Sequence, residues 1–227
     1  MAINDIIFNI DPSKDLEIIR WNDFQKDIDL LANKIQTNFE PDVIVGIFQG
    51  GWVVAQVLAD YFIKSNIAGI RAVKDKNILM PEVMFTDETL HEIKDLLNGA
   101  KVLLVDEVID SGKTASFFLG KLYEYSSQCV KTACTHVYID SVVKPDFFIH
   151  EFTSYKNFIF PWRINRDASC MVNYILRETD ADLYEILANI RKVFNVNVQE
   201  RAVINALKKL ENSMVVENHQ GIWRRII

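Results

Sequence analysis

Between Lys101 and Thr114 the chain reads Lys-Val-Leu-Leu-Val-Asp-Glu-Val-Ile-Asp-Ser-Gly-Lys-Thr, and no other stretch constrains the fold so much. Val102–Val105 is a short, unbroken apolar run, the pattern of a strand buried on both faces. It delivers two adjacent carboxylates, Asp106 and Glu107, to its carboxyl end, where open α/β sheets bind their ligands. A loop containing Asp110, Ser111 and Gly112 follows, and a helix is predicted from Lys113 to Ser126.

The two ends of that loop favour opposite chemistries. N–H groups at a helix start lack intrahelical partners and carry partial positive charge, so they favour a phosphate. Gly112 lets the backbone approach such an anion closely, and Ser111 and Thr114 add hydroxyl donors. The two carboxylates repel phosphate, accept hydrogen bonds from sugar hydroxyls and help hold Mg²⁺. A ribose 5-phosphate, with an anion at one end and a vicinal diol at the other, satisfies both. A Walker A loop is excluded, because its first glycine would fall at position 107, which is Glu.

The surrounding pattern supplies the frame. Phe24, Ile28, Leu31 and Ile35 recur at helical spacing within Trp21–Asn38. Val43–Ile47 reads as a buried strand, Gly50-Gly51 punctuates it, and Trp52–Lys64 reads as a helix. Further strands are expected at 67–73, 132–139, 147–149 and 158–160, and a short helix at 88–97. This alternation predicts an α/β fold, a parallel sheet flanked by helices. Residues 168–211 read as almost entirely helical. A hairpin around Asn218–Gly221 follows, so the C-terminal part resembles a winged-helix module. The expected domains are 1–165 and 166–227.

The 102–114 segment resembles the signature of type I phosphoribosyltransferases that bind 5-phosphoribosyl 1-pyrophosphate (PRPP): four hydrophobic residues, two acids, two apolar residues, then Asp-Ser/Thr-Gly-x-Thr. Two other regions are similar to the xanthine/guanine/hypoxanthine branch. Glu40–Trp52 resembles its first strand and pyrophosphate loop, with Gln49, Gly50 and Gly51 as the loop. Asn157–Arg163 resembles its base-covering hood and keeps Phe160-Pro161-Trp162. Four places depart from the branch: Gln49 replaces a basic residue, Asn157 a stacking Trp and Arg163 the final acid of the hood, and Tyr138–Asp140 holds no lysine for a purine 6-oxygen.

The resemblance implies the type I phosphoribosyltransferase fold with a small hood, and a mostly helical C-terminal module beside it. It implies attack of a purine-like base nitrogen on C1′ of PRPP, with inversion and loss of Mg²⁺-bound pyrophosphate, as in purine salvage. Asp106 and Glu107 would hold the ribose hydroxyls and the metal, and Asp110 would move the proton. Ser111, Gly112, Lys113 and Thr114 would bind the 5-phosphate. Asp140, Asn157, Phe158, Phe160 and Trp162 would meet the base, and residues 74–87 would form a lid, with Lys74 and Lys76 near the pyrophosphate. A homo-oligomer, dimer or tetramer, is also implied.

Composition narrows the alternatives. With 49% hydrophobic and 25% charged residues, wholesale disorder is excluded. No apolar run is long enough to span a bilayer, and the acidic N-terminus is unlike a secretory signal. Three cysteines without a CxxC pair suggest reduced thiols and a cytoplasmic setting. The net charge of −6 is unlike that of a dedicated nucleic-acid binder. Residues 166–227 carry nine basic and eight acidic side chains, so the acidity belongs to the core. A second reading is therefore a PRPP-sensing regulator that binds DNA through its C-terminal module, with Lys208, Lys209, Arg224 and Arg225 as phosphate contacts.

Overall fold

The computed structural model describes residues 10–64, 66–71, 73–74, 83–84, 93–125 and 129–226. In chain order the elements are β1 (Leu16–Ile18), α1 (Trp21–Asn38), β2 (Val43–Phe48), α2 (Gly50–Tyr61), β3 (Ile67–Arg71), β4 (Val73–Lys74) and β5 (Val83–Met84). They continue with α3 (Lys94–Leu97), β6 (Lys101–Ile109), α4 (Lys113–Tyr125), β7 (Cys129–Tyr138), β8 (Phe147–Phe152) and β9 (Asn157–Ile159). A 3₁₀ turn at Pro161–Arg163 leads into α5 (Ile164–Ile175), α6 (Leu183–Phe194), α7 (Glu200–Asn212), β10 (Val216–His219) and β11 (Ile222–Arg225). Apart from the backbone of β4 and β5, the expected lid at 74–87 lies outside the described residues, as do the side chains of Lys74 and Lys76.

The chain forms two compact units, Asn22–Ser154 and Met1–Trp21 with Tyr155–Ile227. The first holds a five-stranded sheet in the order β3-β2-β6-β7-β8, with every pairing parallel. Val102–Val105 is buried throughout, as expected of a strand covered on both faces. One of its cores gathers Val43, Val45, Ile47, Val102, Leu104, Phe118 and Leu122, and each such side chain contributes roughly 2 kcal/mol by leaving water. The chain runs outward from β2 to β3 on one side and from β6 through β7 to β8 on the other. The order therefore reverses between β2 and β6, the place where open α/β sheets form a ligand crevice.

The second unit begins with a two-stranded parallel ladder, Leu16 opposite Asn157 and Ile18 opposite Ile159. Leu16 and Ile159 share one apolar core with α5, α6, α7 and the start of β10. That shared core is why the compact units part at 21/22 and 154/155, whereas a division at 165/166 was expected. The largely helical stretch expected over 168–211 is three helices, α5, α6 and α7, with breaks after Ile175 and after Phe194. Asn195 closes α6 in the left-handed conformation, φ 55°. Asp182 opens α6 with a capping box, accepting from Glu185 N–H while Glu185 accepts from its own N–H. β10 and β11 pair antiparallel, and Ala181 bridges to Trp223 ahead of α6.

No disulfide joins the three cysteines among the described residues, and Cys134 and Cys170 are buried. No described helix is long and apolar enough to cross a membrane.

Candidate active site

The carboxyl ends of β2 and β6 meet at the reversal point of the sheet, and each carries one of the expected motifs. Gly46 of β2 lies opposite Val105 of β6. From there β2 runs on to Gln49-Gly50-Gly51 and β6 to Asp106-Glu107. The peptide between Phe48 and Gln49 is cis.

The two glycines lie inside the helix that they were expected to precede. The predicted helix began at Trp52, whereas α2 begins at Gly50, so both glycines form its first turn. A Cβ on Gly50 would stand 2.0 Å from Cδ and Oε1 of Glu107. One on Gly51 would stand 2.5 Å from the Val105 carbonyl oxygen and 2.9 Å from Asp106 Cα. At Gly51 the backbone of β6 leaves no room for a side chain, and at Gly50 a side chain would displace the Glu107 carboxylate. The N–H groups of that first turn lack intrahelical partners, the chemistry that favours an anion. Gln49 caps the helix without a side-chain hydrogen bond and is exposed.

Asp106 and Glu107 are half-buried. Asp106 Oδ1 accepts the Glu107 N–H at 2.9 Å. Burial, and after it the charge of Glu107, pushes the Asp106 carboxyl well above its ordinary value. The pair is thus an oxygen-rich donor set short of positive charge, which fits a hard divalent cation or sugar hydroxyls. Thr135 on β7 donates its hydroxyl to the Glu107 carbonyl at 2.7 Å and so ties this strand end to its neighbour.

The loop beyond turns on Gly112, whose φ of +73° favours glycine. A Cβ there would meet Ser141 Oγ at 2.3 Å and Val143 N at 2.8 Å. Ser111 and Lys113 are exposed and Thr114 half-buried. Asp110 is exposed, and its Oδ1 accepts the Ser111 N–H at 2.5 Å. The first bond of α4 runs from Ser116 N–H to Gly112 O at 2.8 Å, so the N–H groups ahead of it are the helix-start donors. Val142 N–H donates to Ser111 O at 3.1 Å, clasping this loop to the turn after β7. Asp140 is exposed in that same turn, next to the Ser141 N–H bond to Tyr138 O.

The expected base-contacting residues beyond Asp140 belong to the other compact unit. Asn157 starts β9 and accepts from the Tyr155 hydroxyl at 2.9 Å. Phe158 and Phe160 are buried, 6% and 1% exposed. Trp162 is half-buried and stacks on Phe160 with ring centroids 4.9 Å apart. Two features escaped the sequence reading. One is the Ser141–Val143 backing of Gly112, which no local pattern announces. The other is Arg71, exposed at the carboxyl end of β3 and paired in register with Phe48; it puts a cation one residue away from the uncharged Gln49.

No curated protein matches the chain. Among solved structures, a purine phosphoribosyltransferase from Pyrococcus horikoshii Ot3 is 25% identical, with a TM-score of 0.55 over 65% of this chain and 93% of that one. A hypothetical protein from Neisseria gonorrhoeae with bound ppGpp is also 25% identical, with a TM-score of 0.55 over 66% and 89%. The Helicobacter pylori xanthine-guanine-hypoxanthine phosphoribosyltransferase shares the fold at 18% identity, with a TM-score of 0.54 over 66% and 96%. The family model of the phosphoribosyl transferase domain matches residues 17–168, which span the parallel sheet, the glycine turn and the acidic pair: the chain belongs to the phosphoribosyltransferase domain family.

Proposed function

We propose that the protein transfers the 5-phosphoribosyl group of PRPP to a purine-type base and releases pyrophosphate. The observation that carries this reading is the seating of Gly50 against Glu107 and of Gly51 against Asp106. A pyrophosphate held on the start of α2 would then lie beside a ribose held by the two carboxylates, one bond from C1′. The similarity to a purine phosphoribosyltransferase supports the purine class.

Each residue has a defined task in this reading. Asp106 and Glu107 accept from the ribose hydroxyls, and their negative charge favours the positive charge that develops on the ring. Their oxygens would also hold Mg²⁺, which when bound offsets the charge of the pyrophosphate. The Ser111–Thr114 loop takes the 5-phosphate on backbone N–H groups and two hydroxyls, with Lys113 exposed beside it. Gln49, the N–H groups of Gly50 and Gly51, and the Arg71 guanidinium receive the pyrophosphate. Asp110, oriented by the Ser111 N–H, accepts the proton of the attacking nitrogen. Asp140, exposed in the turn after β7, accepts from an exocyclic amine of the base. The test is pyrophosphate release from PRPP and Mg²⁺ across a panel of purine bases; release with one of them supports the reading.

A second reading is favoured by the order of elements after β9. Helix α5, the Ala181 bridge, α6, α7 and the β10–β11 hairpin follow the order of a winged helix, in which the last helix enters a major groove. Arg201, Asn205, Lys208 and Lys209 are exposed on α7. A protein that binds PRPP, stays silent with every base and binds DNA with a steep salt dependence would be a PRPP-sensing regulator instead.

A further inference from the structure

Away from the acidic pair, three side chains that favour transition metals meet within the Asn22–Ser154 unit. His136 on β7 and His150 on β8 are register partners, with rings 5.0 Å apart. Asp27 reaches them from α1, its Oδ1 2.8 Å from His150 Nε2. One ligand atom of each residue lies within 4.8 Å of those of the other two. We propose that Asp27, His136 and His150 bind a divalent transition-metal ion of the zinc type, at a site separate from Asp106 and Glu107.

The hydrogen bonds behind His136 set its ligand atom. Thr135 spends its only hydroxyl proton on the Glu107 carbonyl, so at His136 Nδ1, 2.8 Å away, its oxygen is the acceptor. Nδ1 therefore carries the ring proton, and Nε2 is the electron-pair donor. An imidazole whose other nitrogen donates to a fixed acceptor is the usual arrangement around a bound metal. The ring is also held flat against Phe152, centroids 5.6 Å apart and 2° from parallel.

The donor set selects the ion. Two imidazole nitrogens and one carboxylate oxygen suit zinc and its neighbours, whereas Mg²⁺ favours oxygen alone. Bonds of about 2.0–2.2 Å place tetrahedral ligands roughly 3.3 Å apart, so the three atoms close on an ion by side-chain rotation. His136 is 2% exposed and the Asp27 side chain 13%, but His150 is 44% exposed. The ion would therefore enter past His150, with water as a fourth ligand. It would pin α1 to the β7–β8 edge of the sheet.

The full chain, stripped with chelator, is titrated with Zn²⁺ by calorimetry and with Co²⁺ by visible absorption. Expected are one ion per chain, cobalt bands of a four-coordinate nitrogen and oxygen site, and a melting temperature raised by about 5 °C at a hundredfold excess over Kd. A tenfold excess of Mg²⁺ should not compete. Asp27→Asn, which keeps the shape of the side chain, and His150→Gln, on the exposed side of the site, should fold and weaken binding at least tenfold, while Asp106→Asn keeps it. No binding at millimolar Zn²⁺ would overturn the proposal. Equal affinity in His150→Gln, or loss in Asp106→Asn with retention in His150→Gln, would overturn it too.

Discussion

A methyl group on Gly50 would come within 2.0 Å of the Glu107 carboxylate, so the first turn of α2 and the carboxyl end of β6 compete for the same space. The neighbouring glycine meets backbone instead, the Val105 carbonyl oxygen and Asp106 Cα. The two positions should therefore fail differently. In Gly50→Ala the obstacle is the far end of a flexible side chain. The Glu107 carboxylate swings away, stability changes by less than about 1 kcal/mol, and PRPP affinity falls at least tenfold. In Gly51→Ala the strand itself must move, at a cost of about 1–3 kcal/mol. Thermal melting and PRPP titration of both variants check the contrast, and equal melting temperatures would contradict it.

Asp110 is tied by one oxygen to the Ser111 N–H. Asparagine keeps a carbonyl oxygen there, so Asp110→Asn preserves the loop and removes only the basicity. Turnover should fall about 10²–10⁴-fold with PRPP affinity within a few-fold of the parent. Steady-state kinetics beside direct PRPP binding separate the two, and unchanged turnover would remove Asp110 from proton transfer.

Much of this site could be read from one stretch of sequence, because a strand, its acids and the following helix are contiguous from Val102 to Thr114. The apolar stripe of α1 and the terminal hairpin were legible for the same reason. What stayed hidden depends on residues far apart in the chain. Gly50-Gly51 reads locally as a break; that a helix starts there follows from Glu107, more than fifty residues later. Leu16–Ile18 is too short to show a period, and its partner Asn157–Ile159 lies on the far side of the other unit's sequence. Asp27, His136 and His150 converge only through the β7–β8 register. The breaks between the C-terminal helices have local signals in Asp182-x-x-Glu185 and Asn195.

The Asp182 capping box makes a local prediction. Its carboxylate satisfies the Glu185 N–H at 2.8 Å, and Glu185 returns the bond at 2.9 Å. Asp182→Ala leaves the Glu185 N–H to water, while the residue-182 N–H keeps its acceptor on Glu185, and should cost about 1 kcal/mol, or about 2–4 °C in melting temperature. Asp182→Ser, which still accepts from Glu185, should recover most of it. Equal losses in the two variants would show that the cap contributes nothing.

Asp106 sets function against stability. Burial and the charge of Glu107 push its carboxyl well above the ordinary range, so the folded protein holds this proton more tightly than the unfolded chain. Below the unfolded value of about 3.9 both states are protonated and the group is neutral to stability. Between that value and the raised folded value the unfolded chain has ionised while the native state still holds its proton, so stability falls as pH rises, and the penalty is complete above the folded value. Asp106→Asn removes the charge and keeps an oxygen for the Glu107 N–H. The variant should therefore melt about 2–4 °C above the parent at pH 7, and the difference should shrink as pH falls toward 4. Addition of PRPP and Mg²⁺ should reverse the order, because the parent alone offers the paired carboxylates they require. Melting curves at several pH values, with and without ligand, test both halves. A variant less stable than the parent at pH 7 would mean that the pair is already neutralised in the free protein.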